Sequence, residues 1–554
     1  MRVLGVNAIF HDPSAALVVD GEIVAAAEEE RFSRRKHGKR PVPFAAWELP
    51  ELSMRWCLTR AGLRPADLDV VAYSFDPALA EPARDMGLSD PWDHLRLTYA
   101  EHAPRFLATA LPGLDPDRVQ FVPHHVAHAA SAGLAAPHRR SAVLVLDGRG
   151  ERASHLAGQY LDGALEVLAS QVLPHSLGLV YESLTEHLGF LRSSDEYKVM
   201  ALASYGKPKF LEELREIIYA DGRGGFVAEA PDWTRWAPPR VDNGSWGGTH
   251  ADLACSMQQR LEEVLVDLAH WLHDQTGERV LTMAGGTALN CVANSRIWRE
   301  TAFDEVWVQP AAGDAGTALG AALASGAQHK EPATVMTTAA LGRSWRDDEL
   351  AAWLRAAAVP FSTPEDLAEQ VADVLAADGV IAWFDGRSEF GPRALGHRSL
   401  LAHPGRAENL ERLNDVKGRE QFRPVAPMVL LDRAHEVFTG PIPSPYMLFT
   451  HGVQPAWKDR IPVVTHVDGS ARIQTVDPAD EPLVARMLTL FAEKTGIPVV
   501  VNTSLNTAGR PIVDDPRDAL EVFGSAPVDA LAIGPCLLRR AGIAAAGQTA
   551  GVAA

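Results

Sequence analysis

Ala142-Val-Leu-Val-Leu-Asp147-Gly-Arg-Gly150 is the stretch on which the fold turns. Its apolar residues, with no polar alternation, read as a buried strand, and the Asp-Gly-Arg-Gly that follows ends it in a tight turn. Residues 153–161 read as its hairpin partner. Two other strand ends in the N-terminal half have the same character, one from Gly5 to Ser14 and one over Gly285-Gly-Thr-Ala-Leu-Asn290. Glycine at such places lets backbone amides approach a phosphate closely, and turns or helix N-termini supply partial positive charge.

Around these turns the pattern alternates. Residues 2–8, 14–19 and 22–27 read as short strands, the last two joined by Asp20-Gly21, a hairpin signal. Residues 52–61 read as a helix stopped by Gly62, residues 68–74 as a strand, and residues 124–135 as a small-residue helix after Pro123. An amphipathic helix over 251–275, with Leu253, Met257, Leu261, Val264, Leu268 and Leu272 on one face, leads into a strand at 279–283. A strand at 306–309 precedes Gly313-Asp-Ala-Gly316 and an Ala-rich helix. Strands joined by crossover helices indicate α/β architecture. Residues 329–345 read as a linker. Beyond it come a helix at 366–376, a strand at 379–384, a long polar loop region, and a strand at 497–501 ending in Asn502-Thr-Ser504. After Ala541 an Ala/Gly-rich tail reads as disordered.

The 554 residues are enough for several domains. Lys plus Arg number 52 against 71 Asp plus Glu, a formal charge of −19, which argues against a nucleic-acid partner but leaves room for a local basic pocket. The four cysteines, Cys57, Cys255, Cys291 and Cys536, form no CxxC pair and fit buried thiols in a reducing compartment. The N-terminus has no signal-peptide pattern and no uncharged apolar run spans a bilayer, so a cytoplasmic protein with no membrane partner is expected. A homodimer, the commonest oligomer, is admissible.

His124 and His128 lie four apart in His-His-Val-Ala-His and project from one helix face, as a bis-imidazole metal site needs; a pair of helix-surface histidines is the plain alternative. The strand-end carboxylates Asp147 and Asp314 favour the metal, and two imidazoles with two oxygens suit Fe²⁺, Mn²⁺ or Zn²⁺. In the C-terminal half, Arg387, Arg393 and Arg398 stand among glycines. Lys417, Arg419, Arg423 and Arg472 follow, with Asn502, Ser504 and Asn506 beyond. Cations held by rigid Gly and Pro backbone point to an anion pocket rather than to solvated loops. The basic run from Arg31 to Arg40 reads as a mobile surface loop near the active site.

The three glycine-bearing turns, in this order, resemble the phosphate-1, phosphate-2 and adenosine elements of the actin/hexokinase/Hsp70-like ATPase fold. Further motifs extend the resemblance: Glu28-Glu-Glu-Arg-Phe32, the His124–His128 run, Lys198-Val-Met-Ala-Leu-Ala-Ser-Tyr-Gly206 and Gly313-Asp-Ala-Gly316. Glu389-Phe-Gly-Pro-Arg-Ala-Leu-Gly396, Phe422-Arg-Pro-Val-Ala-Pro427 and Asn502-Thr-Ser-Leu-Asn506 complete it. Together they resemble the nodulation-type O-carbamoyltransferase family, over nearly the whole chain, and are close to its antibiotic-tailoring branch.

The resemblance implies a Kae1-like ATPase-fold domain over 1–340 and a YrdC-like α/β domain over 346–545. By that resemblance the second takes carbamoyl phosphate and ATP, with Mg²⁺, to carbamoyladenylate and pyrophosphate, and the first transfers the carbamoyl group to a hydroxyl of a secondary metabolite. Lys417, Arg423, Arg472, Asn502 and Ser504, with Arg393 a further candidate, would hold carbamoyl phosphate or the adenylate. Lys417 and Arg423 would count as catalytic. Gly285, Gly286 and Asn290 would contact the nucleotide, and His124, His128, Asp147 and Asp314 would hold Fe²⁺ or a similar ion. An attacking alcohol needs a base, for which His11 is the candidate, with a plain hydrogen-bonded loop histidine as the alternative. Residues 85–104 and the stretch with Trp233, Trp236 and Trp246 match no motif and are where acceptor specificity is expected. Hydrogenase-maturation carbamoylation is disfavoured by the absent paired CxxC motifs. Threonylcarbamoyl-adenylate-type tRNA modification and a non-transferase ATP-binding protein of the same fold are the remaining alternatives.

Overall fold

The computed structural model describes residues 1–38, 49–90, 92–240 and 246–540. Lys39 and Arg40 of the basic run, residues 241–245 of the tryptophan-bearing stretch, and the tail after Arg540 lie outside the described residues. The chain divides into two compact units, Met1–Thr337 and Thr338–Ala554.

The first unit holds β1 (Arg2–Asn7), β2 (Ser14–Val19), β3 (Glu22–Glu28), β4 (Val70–Tyr73), β5 (Val119–Phe121), β6 (Arg140–Leu146), β7 (Ala153–Leu161) and β8 (Ala164–Val172). A small hairpin, β9 (Ile218–Ala220) and β10 (Phe226–Ala228), precedes β11 (Val280–Ala284) and β12 (Glu305–Val308). Two five-stranded sheets result, ordered β3-β2-β1-β4-β5 and β8-β7-β6-β11-β12. In the first, β1 pairs antiparallel with β2 and parallel with β4. In the second, β6 pairs antiparallel with β7 and parallel with β11. One topology thus occurs twice, the duplicated plan of the actin/Hsp70-like ATPase fold.

Burial explains which strands the sequence reveals. β1 and β6 are buried along nearly their whole length and read as continuous apolar runs. β8 is an edge strand, largely exposed, and its mixed composition carries no such signal. Arg31, expected in a surface loop, is instead 2% exposed and paired with Glu28 and Glu30 at 3.3 Å each. Its neighbours on the short helix Glu30–Ser33 hold it against the sheet edge, where a buried guanidinium needs partner carboxylates.

The second unit carries β13 (Ile381–Phe384), β14 (Arg398–Ala402), β15 (Ala426–Leu430), β16 (Phe438–Thr439), β17 (His451–Val453), β18 (Ser470–Ala471), β19 (Gln474–Val476), β20 (Val499–Ser504), β21 (Ala530–Ile533) and β22 (Cys536–Arg539). Seven of these form a mixed sheet ordered β19-β15-β20-β14-β13-β21-β22, an α/β unit with one continuous core. The expected polar loop after β13 is therefore partly strand: β14, β15 and β19 are central or paired elements that bury polar residues such as Arg398, Ser399 and Gln474. Likewise β20 does not stop before Asn502 but runs through Ser504, pairing with β14.

Two helices built almost wholly of small residues set the interior of the first unit. His124–Gly133 packs on β6, β7 and β11, and Ala315–Gln328 packs on β1, β2 and β4. The two helices also pack on each other, and a Cβ on Gly320 would lie 1.7 Å from the Ala127 carbonyl oxygen. Such a clash needs backbone movement. Gly320→Ala is therefore expected to destabilise by about 1–3 kcal/mol and to lower divalent-metal retention. Gly524→Ala, in open helical space, should leave the melting temperature unchanged or slightly raised. Paired thermal melts with elemental analysis check both.

Candidate metal centre and anion pocket

In the first unit the carboxylates and imidazoles converge at strand and helix ends. Asp147 follows β6, Asp314 is the N-cap of Ala315–Gln328, and His124 and His128 stand one turn apart on His124–Gly133. One donor atom from each lies within 4.8 Å of the others, and all four residues are buried. His124 Nε2 is 3.3 Å from Asp147 Oδ2 and 3.7 Å from Asp314 Oδ1. His128 Nε2 is 3.8 Å and 3.6 Å from the same two oxygens. Ligands about 2.1 Å from one ion at tetrahedral angles are about 3.4 Å apart, so the spacing fits a shared cation.

Two further observations test that fit. His128 is fully buried, yet neither of its ring nitrogens has a hydrogen bond among the described residues. An imidazole so placed costs free energy unless something else takes its lone pair. His124 is oriented from behind: its Nδ1–H donates to the Ser74 carbonyl at 3.2 Å, which turns Nε2 towards the carboxylates. Burial lowers the His124 pKa, but the Asp147 hydrogen bond and the charges of Asp314 and Glu151 outweigh it, pushing the group up to about 9. Burial likewise raises Asp147, yet the facing histidines hold it well below the usual carboxylate range. Two buried carboxylates demand positive charge, and a divalent ion meets that demand better than a proton on His124.

The surrounding turns explain how this arises. A Cβ on Gly285, at φ +90°, would lie 2.1 Å from the Leu146 carbonyl oxygen, so only glycine lets that turn close over the end of β6. The adjacent Gly286 N–H then donates to Asp147 Oδ1 at 3.0 Å. The Asn290 side chain caps Cys291–Glu300 through the Ala293 N–H and exchanges two hydrogen bonds with Gln258. His125 is buried, which holds its pKa well below normal, and stands outside the four-residue group. Sequence reading misses Glu151, whose Oε1 accepts the His124 and Asp76 N–H groups at 2.8 and 2.9 Å; an acid just past the glycine turn was the available signal.

His11 sits on the loop after β1. Its neighbour Phe10 packs edge-on against His124, 5.6 Å between centroids, which brings the loop against the cluster. The unassigned segment over 85–104 reaches the same place: Asp90 and Asp93 bind Arg149 of the second glycine turn at 3.1 and 2.6 Å. Of the two readings open to the tryptophans, lining a cleft or covering the core, Trp233 takes the second: it is buried with its indole N–H donating to Ser183 Oγ.

In the second unit, β20 presents Asn502 and Ser504 from one face, two residues apart. Lys417 Nζ donates to the Ser504 carbonyl at 2.6 Å and to its hydroxyl at 2.8 Å. Asn502 Nδ2 donates to the Ala394 carbonyl at 3.1 Å and to Gln474 Oε1 at 2.7 Å, while its buried Oδ1 accepts no hydrogen bond. Arg393 precedes Ala394 and Arg472 lies two residues before Gln474, so the backbone at both converges on Asn502. Arg423 pairs with Glu420 at 3.5 Å. Arg387 and Arg398 do not belong to the pocket: their guanidinium groups bind backbone carbonyls of Gly342 and Asp385, and Arg398 is fully buried over Phe384. Gln474 is the residue that sequence reading overlooks here.

Residues 2–107 and 109–323 match the family model described as the carbamoyltransferase N-terminus, and residues 372–540 match that of the carbamoyltransferase C-terminus. The chain belongs to the carbamoyltransferase family. It is 36% identical to the nodulation protein NolNO of Sinorhizobium fredii over 96% of this chain and 80% of that one. Nodulation protein U of Rhizobium tropici is 31% identical over 94% and 93%. Among solved structures, HypF of T. kodakarensis aligns at 14% identity with a TM-score of 0.38, over 60% of this chain and 49% of that one.

Among the described residues of this carbamoyltransferase, no helix is long and apolar enough to cross a membrane. Among the described residues its four cysteines form no disulfide, and three of them are buried. If the four-residue cluster is the ion-binding site, His128→Ala and Asp314→Ala should each lose the divalent ion that the wild-type chain retains through gel filtration. Elemental analysis beside circular dichroism measures this, and unchanged metal content in both folded variants would remove the assignment.

Proposed function

We propose that this carbamoyltransferase activates carbamoyl phosphate with ATP to carbamoyladenylate and pyrophosphate, and then passes the carbamoyl group to a hydroxyl of a small secondary metabolite of the antibiotic class. The observation that carries the reading is the chemical contrast between two centres on one chain. One gathers Lys417, Asn502 and Ser504 beside arginines, and the other gathers two carboxylates and two imidazoles. Phosphates are screened by the first and repelled by the second, so activation and transfer divide between them.

In the second unit, Lys417, Arg423, Arg472 and Arg393 neutralise the phosphates of carbamoyl phosphate and Mg²⁺-bound ATP, and Ser504 positions Lys417. The unpaired Asn502 Oδ1 suits a ligand N–H donor, which the carbamoyl amide provides. In the first unit, Gly285, Gly286 and Asn290 line the nucleotide's place. His124, His128, Asp147 and Asp314 would hold Fe²⁺ or a similar ion, which when bound supplies Lewis-acid polarisation of a carbonyl. His11 takes the proton of the attacking hydroxyl. Residues 85–104, bound to Arg149, face the acceptor.

The two half-reactions test this. Lys417→Ala should cut acceptor-independent pyrophosphate release by about 10²–10³-fold, as losing a charge-stabilising donor does. His128→Ala should release pyrophosphate near the wild-type rate yet give no carbamoylated product by mass spectrometry from a panel of aminoglycoside and macrolide acceptors. Loss of pyrophosphate release in a folded His128→Ala protein would overturn the division of roles.

A further inference from the structure

The loop after β1 builds a second group of side chains, apart from the four-residue centre. His11, Asp12 and His37 each place a donor atom within 4.8 Å of the others. Asp12 lies between the two imidazoles: its Oδ2 is 3.0 Å from His11 Nδ1, and its Oδ1 is 3.0 Å from His37 Nδ1. On the far side, His37 Nε2 is 2.6 Å from Ser194 Oγ. A carboxylate only accepts, so both Nδ1 atoms carry the proton. With Nδ1 protonated, a His37 ring that carries a single proton accepts at Nε2 from the Ser194 hydroxyl. One consistent assignment of protons runs through the chain of contacts and leaves the His11 Nε2 lone pair open.

The backbone is committed to this arrangement. Asp12 has φ +44° and His37 φ +61°, a left-handed conformation that side-chain-bearing residues adopt only where their surroundings hold them in it. Asn7 Nδ2 holds the carbonyls of His11 and Asp12 at 2.8 and 3.0 Å, and Glu30 accepts the His37 N–H at 2.7 Å. Burial lowers the His11 pKa, but Asp12 on its own loop, Asp314 heading the helix Ala315–Gln328 and Glu182 on Leu177–His187 outweigh it, pushing it up to about 9. The Nε2 lone pair is therefore open only in the fraction of chains whose His11 has lost that proton. Glu196, which heads Glu196–Ala203, also faces His11.

We propose that His37 and Ser194 are positioning residues for the transfer step: acting through Asp12, they hold His11 in the one tautomer whose Nε2 can take a proton from the acceptor. This rests on the reading of His11 as the base. The acceptor O–H gives its proton to His11 Nε2 while the oxygen lone pair forms the bond to the carbamoyl carbon. The bond from that carbon to the adenylate oxygen breaks, AMP leaves with the electron pair, and His11 returns its proton to solvent.

Long-range ¹H–¹⁵N correlation on the full chain labelled with ¹⁵N-histidine and loaded with Zn²⁺ reads tautomers directly, with His11→Gln and His37→Asn assigning the two signals. Both rings should be single Nδ1–H tautomers. Asp12→Gly, which tolerates a left-handed φ, should turn His11 into a mixture of tautomers. His37→Gly, which also fits that backbone, should turn His11 into a mixture of tautomers. His37→Asn, whose amide can reproduce the Nδ1–H donor, should restore the single form. An Nε2–H tautomer at His11, an unaltered His11 in His37→Gly, or a second zinc per chain that His37→Asn releases would each overturn the proposal. Full product formation by His11→Gln would instead refute the base reading and leave the positioning geometry standing.

Discussion

The close approach of His124–Gly133 to Ala315–Gln328 is the constraint from which the cluster of His124, His128, Asp147 and Asp314 follows. A helix pair packs this tightly only where the facing residue has no side chain, and Gly320 against the Ala127 carbonyl meets that condition. Because one helix carries both histidines and the other starts at Asp314, their separation sets the distance between imidazole and carboxylate. Ser74 and Glu151 then fix His124, and the Gly286 N–H fixes Asp147. Backbone packing and these hydrogen bonds hold the four side chains together.

Charge organises the rest. The acidic excess of the chain is not spread evenly: among the described residues, buried carboxylates concentrate in the first unit. The second unit also shows that a run of arginines is not one feature. Arg398 and Arg387 satisfy backbone carbonyls that loops would otherwise bury unpaired, whereas Arg393 and Arg472 sit beside Asn502. Glycines surround both kinds, which is why spacing alone does not separate them.

Much of this was legible because central strands covered on both faces must be apolar throughout, so their ends, where chemistry sits, stand out as abrupt Asp-Gly or Asn-Thr-Ser breaks. Asp147 was visible for that reason, and the His124/His128 pair through its four-residue spacing on a helix. The edge strand β8 was not, since one exposed face dilutes its pattern. Gln474 and Glu151 were hidden because each works through contacts distant in sequence: Gln474 joins β19 to the loop at Leu395, and Glu151 joins a turn to a helix start. His37 lay within a basic run whose charge suggested solvent, although its partners are Asp12 and Ser194.

The doubled sheet has a consequence for symmetry. β1 and β2 enclose residues 8–13, and β6 and β7 enclose residues 147–152, loops of equal length at equivalent places in two halves of one topology. One bears His11 and Asp12; the other bears Asp147. The working cleft is thus lined by two unlike copies of a single structural module, so each loop can drift in sequence without disturbing its counterpart. An exact twofold assembly of identical halves could not do this: the carboxylate that opens one loop as Asp147 would open the other too, where Ala8 stands.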